Sequence, residues 1–166
     1  MKREFRKPLV VMTPKSLLRN PQAVSSLSEL EQGAFQHVIR DTQKLNAKIK
    51  RVLLCTGKIF YDLQKQREEM KCNDVAILRL EQLYPLKQDV LKSALADFSD
   101  GTPVSWVQEE PANMGAWPFL RVTLGEKLFG RFPFTLNGRE ESASPATGSA
   151  NRHKYEQQQI LTEAFK

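Results

Sequence analysis

The sequence predicts an α/β fold built on a mostly parallel sheet. Three runs, at residues 51–55, 75–78 and 104–107, are almost continuously apolar instead of alternating regularly with polar residues. Such runs are typical of strands that are covered by helices on both faces. Helical patterns separate them, which is the order expected of βαβ units. A chain of 166 residues is long enough for one core. We therefore expect a linker over residues 1–7 and a single domain over residues 8–166.

The first 50 residues are patterned less clearly. Residues 9–12 form a short apolar run that predicts a first strand. Residues 13–19 predict a turn with a short helical stretch, which ends before Pro21 because the residue that precedes a proline disfavours helix. The pattern of residues 25–45 stays ambiguous, since residues 26–32 favour a helix and residues 35–39 favour an extended segment.

From residue 51 onward the elements follow regularly. The strand at 51–55 leads through Thr56-Gly57-Lys58 into a helix at 59–70. Ile59, Phe60, Leu63 and Met70 share one face of that helix, and Tyr61 points away from it. A second unit consists of a strand at 75–78, a turn at 81–85 and a helix that ends near Phe98. The third strand follows at 104–107.

The last third of the chain predicts four more segments. These are a helix at 117–129, a strand at 132–137, a loop of small residues at 142–149 and a final helix at 151–165. The final helix is apolar only near Ile160 and Leu161 and towards its end, so we expect it to dock by that end.

Composition excludes several classes of protein. The net charge is +6, but the first seven residues supply +3 of it and the other basic residues alternate with acids. This pattern is typical of solvated helix faces and argues against nucleic-acid binding. No apolar run approaches the roughly 18 residues of a membrane span. The first residues are charged but are not followed by a long apolar core, so we expect no signal peptide. Cys55 and Cys72 predict reduced thiols, which fits the cytoplasm or the mitochondrial matrix.

Ligands of parallel α/β sheets bind outside the carboxyl ends of the strands. At that edge Gly57 and Lys58 stand between a strand and a helix, where backbone N–H groups and a positive charge could bind an anion. The segment lacks the spacing of a phosphate-binding loop, so a tight turn with a solvated lysine is the favoured interpretation.

The segment from Trp106 to Trp117 predicts a strand that ends in a turn at the same edge. Pro111 stops ladder pairing and Trp117-Pro118 suits a first helical turn. Glu109 and Glu110 are adjacent, so they project to opposite sides of an extended strand and form no acid/base pair. Hydrogen bonds from them to the following turn are the favoured interpretation. His37 and His153 belong to no metal or triad motif, so the residues predict no catalytic group and no metal ligand.

Five separated blocks resemble one family. They are residues 13–19 (TPKSLLR), 57–63 (GKIFYDL), 74–85 (DVAILRLEQLYP), 106–117 and 142–148 (SASPATG). Together they are similar to the C-terminal domain of the thiamine diphosphate-dependent decarboxylating component of 2-oxoglutarate dehydrogenase. The resemblance implies a transketolase-like C-terminal domain, which is a three-layer α/β/α fold with a five-strand mixed sheet in which one strand is reversed.

The resemblance also implies a role. The parent enzyme of the tricarboxylic acid cycle uses thiamine diphosphate and Mg²⁺ to decarboxylate 2-oxoglutarate and passes the succinyl group to lipoamide on the lipoyl succinyltransferase core. The family's Gly-Asp-Gly metal and diphosphate motif is missing from this chain. We therefore expect a chain that is inert alone and needs no cofactor itself. Its expected partners are the upstream thiamine-binding domains and a second copy in a homodimer.

In some relatives this domain carries an acyl-coenzyme A or adenine nucleotide effector site. The residues predicted here for a phosphate contact are Lys15, Ser16, Arg19 and Lys58. Those predicted for an interface or the crevice are Tyr61, Glu109, Glu110, Asn113 and Trp117.

Two alternatives stay open at this point. One is a free-standing binding module for a coenzyme A ester or nucleotide, and the other is the equivalent domain of a pyruvate dehydrogenase or transketolase. We also expect an exposed apolar face near Tyr61, Trp117 or Phe129, through which the chain self-associates.

Overall fold

The computed structural model describes residues 4–43 and 48–166. The chain forms two units, Met1–Ala34 and Phe35–Lys166. The first unit contains a 3₁₀ helix at Lys15–Arg19 and the helix α1 at Leu27–Gln32. Ser26 begins α1 with a capping box, because its hydroxyl accepts from the Glu29 N–H and its own N–H donates to the Glu29 carboxylate.

The strand predicted at residues 9–12 is wrong. These residues are exposed and have no strand assignment. A strand needs a partner for its backbone groups, and no strand is found among the described residues of the first unit. The helical predictions for residues 13–19 and 26–32 are confirmed.

The second unit is built on a six-stranded sheet with the order β1-β3-β2-β4-β6-β5. The central four strands run parallel, and the two-residue strands β1 and β5 pair antiparallel at the edges. The strands are β1 Val38–Ile39, β2 Arg51–Cys55, β3 Val75–Leu80, β4 Val104–Pro111, β5 Lys127–Leu128 and β6 Phe132–Arg139.

The predicted mixed, mostly parallel sheet is confirmed with one difference. It has six strands with two reversed, instead of five with one reversed. The extra strand arises because β5 lies inside the segment predicted as one helix over residues 117–129. That helix ends at Leu124, where Gly125 adopts φ +75° and the chain turns back to pair Lys127 with Pro133.

Helices cover both faces of the sheet, which makes the three layers. The helices of the second unit are α2 Ile59–Glu69, α3 Gln88–Ala94, α4 Trp117–Leu124 and α5 Ala150–Ala164. Neighbouring residues of one strand serve opposite faces: Leu54 packs in the core with α3 and α4, and Leu53 packs in the core with α2 and α5. As predicted, α5 buries Ile160 and Leu161 near its end.

The buried face of α2 differs from the prediction at one position. Met70 is exposed, and the residue that turns inward is Arg67. Its guanidinium forms an ion pair with Asp41 and donates to the Val75 carbonyl at 3.2 Å. The Asp41 carboxylate in turn accepts from the Ile77 N–H at 2.7 Å. An arginine is therefore buried here because its charge is paired.

Two further predictions concern the cysteines and the membrane. Cys55 is buried and Cys72 is half-buried, and both are free thiols. Burial raises the pKa of the Cys55 thiol to about 12, which keeps it neutral and unreactive at neutral pH. Across residues 4–43 and 48–166, no helix is long and apolar enough to span a bilayer.

Candidate functional site

A crevice opens at the carboxyl end of the parallel strands, where the sequence places it. It encloses a cavity of about 300 Å³ whose polar wall includes Thr56, Gln108 and Glu109. Leu83 and Ala116 close its other sides. The Thr56 hydroxyl donates to the Leu80 carbonyl at 2.7 Å, which ties together the ends of β2 and β3.

Gln108 is the organising residue of this crevice, and it is absent from the site residues that the sequence predicts. Its amide is buried and makes five hydrogen bonds. The amide oxygen accepts from the Trp106 indole at 2.8 Å and from the Trp117 N–H at 3.0 Å. The amide nitrogen lies within 3.2 Å of three carbonyl oxygens, those of Glu110, Pro111 and Met114. One neutral side chain thus fixes the whole turn between β4 and α4.

Gly115 completes this arrangement. Its φ is +68°, and a Cβ atom built there would lie 2.9 Å from the Gln108 amide oxygen. Only glycine combines the left-handed backbone with room for that amide. In the sequence, Gly115 stands just before Trp117, the aromatic residue at which α4 begins. A glycine in this position is the signal that could have indicated the close approach between Gly115 and the Gln108 amide.

Lys58 sits in the predicted tight turn, but its charge is not free. Gly57 has φ +70°, and α2 begins directly after Lys58. The Lys58 ammonium forms an ion pair with the Glu109 carboxylate, and both side chains are partly buried. The prediction of a solvated lysine is therefore wrong, because a strand carrying a carboxylate ends beside it.

Glu109 and Glu110 have different surroundings, as their alternation along β4 predicts. Glu109 is half-buried and binds Lys58, whereas Glu110 is exposed. The Glu109 carbonyl accepts from Arg139 Nε at 2.5 Å. The carboxylate of Glu109 does not bond the following turn, which is held by Gln108 instead. The prediction that Glu109 forms hydrogen bonds to the following turn is therefore wrong.

Tyr61 lies in a cluster at the end of β3. Its hydroxyl is 3.5 Å from the Arg79 guanidinium, which stacks over the Phe60 ring at 4.3 Å. Glu81 lies 3.4 Å from Arg79 Nε. The arginine is thus sandwiched by aromatic rings and a carboxylate, an arrangement that stabilises its charge.

Asn113 and Trp117 connect the crevice to other elements. The Asn113 side chain donates to the Ser142 carbonyl at 3.0 Å and accepts from the Ser142 N–H at 3.1 Å. It therefore joins the β4–α4 turn to the loop that follows β6. The Trp117 ring packs against Phe134 with 5.1 Å between ring centroids.

That second loop is held by a network of charges. Arg139 donates to the Pro145 carbonyl at 2.8 Å and to the Thr147 hydroxyl at 2.7 Å. Glu156 on α5 accepts from Arg152 Nε at 2.6 Å and from the Thr147 hydroxyl at 2.7 Å. Hydrogen bonds from Arg152 and Thr147 hold the pKa of Glu156 at about 2. The loop and α5 enclose a second cavity of about 770 Å³.

The other predicted phosphate-binding residues lie in the first unit. Lys15, Ser16 and Arg19 are exposed on the 3₁₀ helix. No ion pair involves Lys15 or Arg19 within the described parts of the chain. Their charges are available to a ligand, in contrast to that of Lys58.

In the described ranges, no three His, Cys, Asp or Glu side chains come close enough to hold a metal ion. His37 instead bonds Gln82, with its Nδ1 3.0 Å from the Gln82 amide oxygen.

Comparison with known proteins decides the family. Residues 24–165 match the family model described as 2-oxoglutarate dehydrogenase C-terminal. The chain belongs to this family. It is 47% identical to the 2-oxoglutarate dehydrogenase E1 component of Cupriavidus necator over 99% of the chain, and 44% identical to that of Haemophilus influenzae over 98%. The chain spans 18% of the length of each of these two relatives.

A solved structure described as a split-gene transketolase, inactive beta4 tetramer, resembles the chain more distantly. The TM-score is 0.49 at 9% identity, over 71% of this chain and 38% of that one.

Proposed function

We propose that the chain is the C-terminal structural and regulatory domain of the first component of 2-oxoglutarate dehydrogenase. In the full-length enzyme, thiamine diphosphate and Mg²⁺ supply the chemistry that decarboxylates 2-oxoglutarate. The succinyl group then passes to lipoamide on the succinyltransferase core. The proposed partners of this domain are the upstream thiamine-binding domains and a second copy in a homodimer. The proposed location is the bacterial cytoplasm, since the relatives compared are bacterial enzymes.

The observation that best supports a structural role is how the polar groups of the crevice are paired. Its polar groups satisfy one another: Gln108 uses its amide in five bonds, and Lys58 is paired with Glu109. A general acid or base must reach the substrate with a free proton or lone pair. Groups consumed in mutual contacts instead hold the turn that follows β4 in one conformation.

The first experiment measures turnover. The purified chain is incubated with 2-oxoglutarate, thiamine diphosphate, Mg²⁺ and an artificial electron acceptor, with the full-length Cupriavidus necator E1 component as the positive control. We expect reduction of the acceptor only in the control. Decarboxylation by the chain alone would refute the proposal that it is inert in isolation.

The regulatory part of the proposal rests on the positive charges. Lys15 and Arg19 are exposed and unpaired among the described residues, and Ser16 adds a hydroxyl between them. Phosphate groups of an acyl-coenzyme A or an adenine nucleotide suit such a set. Lys58 lies in the second unit and is a separate candidate, which can bind an anion only when it exchanges its Glu109 partner for that anion.

Calorimetry with acetyl-coenzyme A, AMP and inorganic phosphate tests each group separately. Lys15→Ala and Arg19→Ala should each weaken binding about five- to tenfold, and Lys154→Ala on the exposed side of α5 serves as the control. Glu109→Gln tests Lys58 by itself, because this change frees the Lys58 ammonium and should strengthen anion binding at the start of α2. Heats unchanged by the variants of Lys15 and Arg19 would remove those residues from the proposal.

The free-standing binding module is the second candidate, favoured by the Gly57 turn at the start of α2. The two candidates differ in gene structure. A reading frame that continues upstream of Met1 into thiamine-binding domains supports the first proposal. Absence of heat with every ligand tested removes the second.

A further inference from the structure

Arg79 ends an apolar row of residues on the α2 side of the sheet. Val75 and Ile77 precede it in that row and are buried in the core with α2. The Arg79 backbone is held on both sides, because it lies opposite Cys55 in β2 and opposite Ile39 in β1. The residue stands near the carboxyl end of β3, at the edge where parallel α/β sheets bind ligands. The fold therefore fixes a positive charge at that edge.

Aromatic rings hold the guanidinium plane of Arg79 in place. Its central carbon lies 4.3 Å from the centroid of the Phe60 ring and 6.0 Å from that of the Tyr61 ring. The side chain is 20% exposed, so part of it still reaches solvent. Stacking covers the face of a guanidinium and leaves the N–H groups in its plane free to bind. The side chain is thus preorganised for a ligand that approaches in that plane.

Most N–H donors of this guanidinium have no hydrogen-bond acceptor in the described parts of the chain. Nη1 donates to the Tyr61 hydroxyl in one long bond of 3.5 Å, and among the described residues Nη2 makes no bond. Nε is shielded from solvent and lies 3.4 Å from the Glu81 carboxylate without forming a hydrogen bond to it. A guanidinium has five donors, and buried donors are normally hydrogen-bonded. The two terminal nitrogens are therefore available to an acceptor.

Arg131 shows a similar guanidinium whose donors are used. It also lies over an aromatic ring, 4.7 Å from the Phe132 centroid, and its side chain is 31% exposed. Its Nε donates to the Asp100 carboxylate at 2.5 Å, and its Nη2 donates to the Phe98 carbonyl at 2.9 Å. Of the two arginines, Arg79 is the one whose terminal nitrogens both lack a strong acceptor.

We propose that Arg79 and Tyr61 bind one carboxylate group. Its two oxygens accept from Nη1 and Nη2 of Arg79, in the bidentate geometry that the planar fork matches. The Tyr61 hydroxyl accepts from Nη1, so its own proton is free to donate to the same carboxylate. Glu81 stays on the Nε side, and its charge balances that of Arg79. This balance suits a single negative charge and disfavours a phosphate dianion.

The carboxylate belongs to a free small acid or to an acidic side chain of a partner protein. Both sources present the same two oxygens to the arginine, and they differ in the groups that surround the carboxylate. One partly exposed bidentate pair binds weakly, so we expect a dissociation constant of about 1–10 mM for acetate. The site uses none of the four residues proposed for a phosphate contact, so it can fail while the proposed function stands.

NMR titration of the complete 166-residue chain at neutral pH measures this binding through the N–H signals of the arginine side chains. Sodium acetate replaces sodium chloride up to about 50 mM at constant ionic strength. We expect the Arg79 signal to shift and saturate, while the Arg131 signal in the same spectrum stays unchanged. The second probe is acetyl-Gly-Glu-Gly-amide, whose only charge is its glutamate side chain. Tighter binding of this peptide than of acetate assigns the site to a protein side chain, and weaker binding assigns it to a free acid.

Variants test the two residues, followed through the backbone amide signal of residue 61, which all of them keep. Arg79→Lys retains the charge but loses the fork, so acetate binding should weaken about fivefold or more. Tyr61→Phe removes one donor and should weaken acetate binding about threefold. Arg131→Lys is the matched control and should leave the dissociation constant unchanged.

Three results would overturn the proposal. The first is a wild-type Arg79 signal that does not shift with acetate or with the peptide. The second is inorganic phosphate that saturates the Arg79 shift at the same concentration as acetate, because general attraction of anions would then explain the binding. The third is a dissociation constant that is equal in the wild type and in a folded Arg79→Lys variant, as judged by its melting curve.

Discussion

Two loops at the same end of the sheet are held in opposite ways. The turn between β4 and α4 is held by Gln108, a buried neutral amide whose bonds all fall within residues 106–117. The loop between β6 and α5 is held by charged side chains: Arg139 donates to Pro145 and Thr147, and Glu156, a half-buried carboxylate, binds Arg152 and Thr147. Asn113 joins the two through Ser142.

This difference determines which change destabilises each loop. A buried amide cannot turn to water when its partners are lost, so breaking the Gln108 network leaves unsatisfied polar groups in the core. A carboxylate near the surface can be hydrated, so the Glu156 network is weaker, screened by salt and sensitive to acid. The β4–α4 turn should therefore behave as part of the core, and the β6–α5 loop as an adjustable surface segment.

The largest effect is expected from Gln108→Leu. The leucine side chain has a similar size but removes the amide that pairs with three carbonyls and two N–H groups, and of these the Pro111 carbonyl keeps a bond from the Met114 N–H. We expect the free energy of unfolding to fall by about 4 kcal/mol, as measured by urea denaturation. Gln158→Leu on the exposed face of α5 is the control and should change it by less than about 0.5 kcal/mol. A loss below about 1 kcal/mol for Gln108→Leu would show that the turn is held by other contacts.

Gly115→Ala should have the second-largest effect. Alanine at φ +68° is strained, and its methyl group would meet the Gln108 amide, which is fixed by its own bonds. We expect a loss of about 2 kcal/mol in the same denaturation experiment. Gly101→Ala separates the two causes, because Gly101 has φ +82° with open space around its Cβ position. Equal losses in both variants would remove the close approach to Gln108 from the explanation.

From residue 51 onward the sequence predicted the order of helices and strands along the chain well, but it did not point to Gln108 as the residue that organises the crevice. Strands β2, β3 and β4 were evident because a strand covered on both faces is mostly apolar, and the crevice followed because parallel strands end at one edge. The edge strands β1 and β5 have two residues each, which is too short for any periodicity. They exist only because longer neighbours offer them backbone partners.

Side-chain pairing accounts for the other differences. Gln108 looks like an ordinary polar residue at a strand end, and only the fold brings three carbonyls around it. Arg67 and Asp41 are 26 positions apart, so their buried ion pair is invisible to helical periodicity. A polar residue inside an apolar strand is the one local signal that could have indicated Gln108.

Glu156→Gln should lower the stability of the chain by less than Gln108→Leu or Gly115→Ala does, and the size of its effect should depend on pH. The Glu156 pKa lies at about 2 in the folded chain, against an ordinary value of 4.5. A lowered pKa contributes stability that is complete above about pH 4.5 and is lost as the pH falls towards 2. We expect the difference in melting temperature between wild type and Glu156→Gln to shrink over that interval. Glu141→Gln, which alters an exposed residue, is the control. A difference in melting temperature that stays constant with pH would contradict the lowered pKa of Glu156.

Asn113→Ala should have the smallest effect, because Asn113 is exposed and water can replace both of its bonds to Ser142. We expect a loss of about 0.5 kcal/mol in the free energy of unfolding. The variant tests coupling, because Asn113 bonds the β4–α4 turn directly to Ser142 in the other loop and should transmit motion from one to the other. Hydrogen exchange of the amides in residues 140–148 should become several-fold faster in the variant, while the amides of residues 108–117 keep their protection through Gln108. Faster exchange in both loops would mean that they open as one unit, and the contrast between a core-like turn and an adjustable loop would not hold.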